Sequence, residues 1–141
     1  MQQFNDALDV EIHELDTVLL RLTTLRLLMA TGKHGLVDRA VDELGQSMEA
    51  FEAAERRAIG ALDDCGFQTI DEAAAAQEVD VRVGLERRAA TLRARHRDVR
   101  VALATTGAAA ERSLRQAAQH ISGDVAARPL AHNRHPFLTG E

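Results

Sequence analysis

Apolar side chains recur along the first part of the chain at helical intervals. Phe4, Leu8, Ile12, Leu15, Leu19, Leu22, Leu25 and Met29 are spaced 4, 4, 3, 4, 3, 3 and 4 residues apart. The stripe predicts an amphipathic helix, with Asn5 or Asp6 placed to cap its start and the turn Gly32-Lys33-His34-Gly35 placed to end it. A second stripe, Val37, Val41, Leu44, Met48, Phe51, Glu55, Ala58 and Leu62, alternates 4 and 3 over about four heptads until Cys65-Gly66 stops it. Two long helices joined by a short glycine turn predict an antiparallel hairpin, each arm on the order of 40 Å at 1.5 Å per residue.

After the break, Thr69-Ile70-Asp71-Glu72 has capping-box spacing and marks a new helix start. Ala73 to Gln77 has little to bury. The stripe resumes as Leu85, Ala89, Leu92, His96, Val99, Leu103, Thr106, Ala110, Leu114, Ala117 and Ile121. The three valines between Val79 and Gly84 alternate with Asp80 and Arg82, the one place where a bend or a short extended piece is expected. Gly107 is a second weak point. From Gly123 on, Pro129, Pro136 and Gly140 interrupt a stretch without periodicity, expected to be a mobile tail. The expected fold is all-α: a long-helix hairpin plus a long third helix, as a three-helix bundle or coiled-coil-like array. It forms one domain over residues 1–122, with a flexible tail over 123–141.

Composition adds to this picture mainly by exclusion. The 141 residues are 45% hydrophobic but only 3% aromatic, so the core must be aliphatic and rich in Ala. The single cysteine, Cys65, excludes an internal disulfide and a multi-thiolate zinc site, and it reads as a buried small residue at the end of helix two. The acidic N-terminus does not resemble a leader, and no run approaches the roughly 18 apolar residues of a membrane span. A cytoplasmic protein without membrane contact is expected. The charge is uneven: residues 1–72 hold 15 acids and 6 bases, net −9, and residues 73–141 hold 7 acids and 11 bases, net +4. A basic helix packed on acidic ones is the simplest outcome.

The sequence carries no catalytic or cofactor signature of the common kinds. No Glu or Asp stands three residues before any His, as di-metal bundles require. His132 and His135 form an i, i+3 pair without a further ligand nearby. His96 lies at an apolar position between Leu92 and Val99 and reads as a hydrogen-bonded core or boundary histidine. Glu49, Glu52 and Glu55 form a row along the edge of helix two, and most such rows are solvated. Phosphate-cradling and serine-nucleophile motifs are lacking. The arginines from Arg87 to Arg100 lack interleaved aromatics and fall outside the apolar stripe, so they read as an exposed face rather than a nucleic-acid site. No enzymatic activity, metal or cofactor is expected.

The order of features carries a resemblance: a leucine-rich first helix, a glycine turn near residue 32, Glu43-Leu44 and later Glu55-Arg56-Arg57 on helix two, a stop at Cys65-Gly66, then a long third helix and a loose tail. Over roughly Leu15 to Ile121, and most specifically over Leu44 to Leu62, the chain resembles the FlgN family of flagellar type III export chaperones. Where that family commonly has an Asn-containing pattern on the third helix, this chain has His96 and arginines.

The resemblance implies a cytoplasmic chaperone that binds the amphipathic terminal helices of hook–filament junction proteins. It would prevent their early assembly and deliver them to the export apparatus. It also implies a client contact in the C-terminal part, here Val99, Leu103, Leu114 and Ile121, with Val125 and Leu130 folding on contact. The competing expectations are that the helix-three residues close an intramolecular core, or that the chain self-associates through the helix-two heptads and has no export role.

Overall fold

The computed structural model describes residues 1–120, with every one of its regular elements helical. Helix α1 spans Gln2–Ala30, a single 3-10 turn follows at His34–Leu36, and α2 spans Val37–Asp64. The short α3 covers Ile70–Ala75, and α4 runs from Val79 to His120, on the order of 60 Å. The expected hairpin and long third helix are present. Ile121, Val125 and Leu130, together with the expected tail, lie outside the described residues, and so does the side chain of Leu114.

Both hairpin arms end in the same way. Gly32 (φ 71°) and Gly66 (φ 83°) take the left-handed conformation, in which a Cβ is strained. Lys33 N–H donates to Leu28 O while Gly32 N–H donates to Met29 O, and Phe67 with Gly66 repeats the pattern on Leu62 and Asp63. The start of α1 departs from expectation. The helix begins at Gln2 with no side-chain cap, and Asn5 and Asp6 already lie within it.

The expected bend also moves. Val79 to Gly84 is helical, and the chain breaks just before it, around Gln77. Arg82, one turn into α4, fixes that break. Its guanidinium donates to Ala74 O and Gln77 O at 3.2 and 3.1 Å, the first of which also accepts from Gln77 N–H. At the other end of α3, Thr69 Oγ1 accepts from Glu72 N–H, and Glu72 reaches back to the N–H of Gln68 rather than of Thr69.

Helix α1 is the central element, packed on α2 along one side and on α4 along the other, while α3 packs on α4. Arg21 meets Glu43 across the antiparallel pair. Arg88 meets Asp9 and Arg95 meets Asp16 across a parallel one, both 79 residues apart in sequence. With Arg93–Asp71, these pairs realise the expected attraction between the basic second half and the acidic first half. The core holds Phe4, Leu8, Leu15, Val18 and Leu22 from α1, Leu44, Met48, Phe51 and Leu62 from α2, and Leu85, Leu92 and Val99 from α4. On α1 the buried line is shifted from the expected stripe. It runs through Glu11 and Val18, leaving Ile12 and Leu19 half-buried at its margin. Cys65 caps α2 half-buried rather than buried.

Candidate functional site

Each of the three long helices carries a titratable residue in or beside its buried line: Glu11 on α1, only 4% exposed, and Glu55 on α2 and His96 on α4, both half-buried. The three converge: a carboxylate oxygen from each Glu and an imidazole nitrogen of His96 lie within 4.8 Å of one another. Among the described residues no donor is within hydrogen-bond distance of the Glu11 carboxylate. His96 instead presents its ring edge-on to Phe51, with centroids 5.5 Å apart and planes at 73°.

The surroundings set the protonation. Burial first, and the nearby Glu55 charge second, push the Glu11 carboxyl up to about 7. Burial lowers the His96 imidazole, opposed by Glu55 and assisted by Arg100. Near neutrality the cluster therefore holds a neutral imidazole and a carboxyl close to half-ionised.

Two openings lie along α4, one of them beside His96. One, of about 530 Å³, is bounded by Ala90, Arg93, His96, Arg97 and Arg100 and leads from solvent to the imidazole. The other, of about 490 Å³, lies between α2 and α4 over Leu22, with Leu44, Leu103, Ala104, Gly107 and Ala110 on its walls. Of the residues expected to bind a client, Val99 is 1% exposed and part of the intramolecular core. Leu103 is half-buried on the wall of the second opening. Leu114 has its backbone in α4.

Glu11 falls outside every expected site, and Glu55, expected in a solvated row, is half-buried. The available signal was a charged residue at a buried heptad position, visible for Glu55 in the helix-two stripe itself. His96, expected as a hydrogen-bonded core or boundary histidine, is half-buried, with its ring against Phe51 and the charges of Glu55 and Arg100 nearby. Comparison with known proteins adds no name: no family model, no curated protein and no solved structure matches this chain.

Proposed function

We propose that this chain is an export chaperone that captures amphipathic terminal helices of flagellar hook–filament junction proteins in the cytoplasm. It holds them apart until the export apparatus takes them over. What supports the reading, beside the resemblance of Leu15 to Ile121, is the open side of the bundle between α2 and α4. There Leu22 is the floor of a mainly apolar groove walled by Leu44, Leu103, Ala104, Gly107 and Ala110, with Arg100 and Thr106 also on its lining. Small residues at Ala104, Gly107 and Ala110 let a third apolar face approach the α4 backbone closely. A bound helix would bury Leu or Val there at about 25 cal/mol per Å², enough for reversible capture. The 79-residue offset places Ala30 level with the turn near residue 109, so the α4 backbone continues for roughly 15 Å beyond the hairpin.

The test is titration calorimetry with terminal helical fragments of the junction proteins from the same source. One-to-one binding at micromolar affinity or tighter, with a negative heat-capacity change, is the expected result. Leu103→Asp, Leu114→Asp and Ile121→Asp should weaken it tenfold or more. Unchanged binding by folded variants removes the groove and the end of α4 as the client surface.

A second reading, self-association without an export role, is favoured by Leu20 and Leu27. They lie seven residues apart on the outer face of α1 and are 63% and 62% exposed. The helix-two heptads first expected to drive self-association are largely spent inside the chain, since Leu44, Met48, Phe51 and Leu62 are buried. A concentration-dependent dimer abolished by Leu20→Lys/Leu27→Lys, with no fragment bound, would establish this alternative.

A further inference from the structure

Helix capture leaves the Glu11–Glu55–His96 cluster, in which Glu11 is buried and the other two are half-buried, without a role. We propose that these three residues bind a divalent first-row transition-metal ion, with one ligand from each long helix. Geometry and burial carry the assignment. The three ligand atoms lie within 4.8 Å of one another. Metal–oxygen and metal–nitrogen bonds of about 2.0–2.2 Å hold ligands roughly 3–3.5 Å apart, so a closure of about an ångström, within the reach of a glutamate side chain, completes the contact. Glu11 is 96% buried, accepts no hydrogen bond among the described residues, and faces a second carboxylate rather than a cation. Two adjacent carboxylates in such a place require either a proton or a cation between them.

The ligand set selects the class of ion. An imidazole with two carboxylates suits Zn²⁺, Co²⁺, Fe²⁺ or Mn²⁺, whereas Mg²⁺ and Ca²⁺ prefer all-oxygen sites. The two glutamates balance a dication, and remaining coordination positions go to water from the opening beside His96. Arg97 and Arg100 line that opening along with Arg93, which leans toward Asp71. Their positive charge slows entry of a free cation and lowers its affinity, so binding in the micromolar range is expected rather than the tighter grip of thiolate sites.

The experiment uses the full chain, freed of metal by chelation and titrated with Zn²⁺ by calorimetry and with Co²⁺ by visible absorption. One equivalent is expected to bind, with release of a fraction of a proton near pH 7, read from calorimetry in buffers of different ionisation enthalpy. Glu11→Gln and His96→Gln should each weaken binding at least 30-fold, while His132→Gln/His135→Gln leaves it intact. Glu11→Gln keeps the shape of the side chain and removes a buried charge, so circular dichroism should report it folded. Binding that survives Glu11→Gln and His96→Gln, binding lost only with the tail histidines, or no binding by the folded wild type would each overturn the proposal and leave a proton as the occupant.

Discussion

Arg88 on α4 grips Asp9 on α1 with two nitrogens, Nε to Oδ1 at 2.8 Å and the terminal nitrogen to Oδ2 at 3.2 Å. One heptad further on, Arg95 Nε meets Asp16 at 2.6 Å. Donating to Asp9 also raises the Arg88 pKa. The repetition sets α1 and α4 in parallel at a constant offset, and that register determines which residue of α4 meets Glu11.

Partly exposed pairs contribute modestly, and here geometry is favourable. Arg88→Ala/Arg95→Ala is expected to lose about 1–2 kcal/mol in urea denaturation at low ionic strength, and visibly less in 1 M salt. A loss independent of salt would mean that the arginine stems, not their charges, hold α4.

The elevated Glu11 pKa makes stability depend on pH. The folded state binds the Glu11 proton up to about pH 7, whereas the unfolded chain releases it near 4.5. The contribution is therefore complete below about 4.5 and is lost as pH rises through 7, a span worth on the order of 2–3 kcal/mol. His96 acts in the opposite sense, because its lowered pKa costs stability as pH falls below 6.5. Metal-free Glu11→Gln should be more stable than wild type at pH 8 and nearly equal to it at pH 5, as read by chemical denaturation at both values.

Phe51 is fully buried and shields His96. Phe51→Ala is expected to cost about 3–5 kcal/mol. Water entering the vacated volume should raise the His96 pKa toward 6.5, measured by NMR titration of its ring protons. A drop in stability with an unmoved His96 pKa would show that the cavity stays dry.

Two glycines should respond with opposite sign. Gly66→Ala strains a backbone at φ 83° and is expected to destabilise by about 1 kcal/mol. Gly60 lies inside α2 with open space where a Cβ would stand, so Gly60→Ala should stabilise by about 0.5–1 kcal/mol. Thermal unfolding of the two variants side by side checks both.

The helices were legible in the sequence because heptad spacing and glycine stops are local signals. Gly66 could be assigned its role without any structure, as could Thr69. The buried line of α1 was harder. Phe4, Leu8, Glu11, Leu15, Val18, Leu22 and Leu25 keep a stricter 4-3 alternation than the stripe through Ile12 and Leu19, but a search for apolar residues steps over a glutamate. The cluster itself was illegible for a different reason. Each polar interruption is visible in its own helix, yet their meeting depends on the registers of α2 and α4 against α1. The α4 register rests on a break that Arg82 pins by binding carbonyls five to eight residues behind it.

The 79-residue separation between α1 and its α4 partner also orders the folding reaction. The hairpin of α1 and α2 closes a turn of a few residues and forms early, whereas α4 must close a much longer loop before Arg88 and Arg95 find Asp9 and Asp16. Until then the hairpin stands with one side of Leu8, Leu15 and Leu22 uncovered. During synthesis that face is exposed from the moment α2 emerges until α4 follows, and at high concentration the α4 of a neighbouring chain can dock on it just as well. The break near Gln77 is the hinge such an exchange would straighten, so domain-swapped dimers are the misassembly this topology invites.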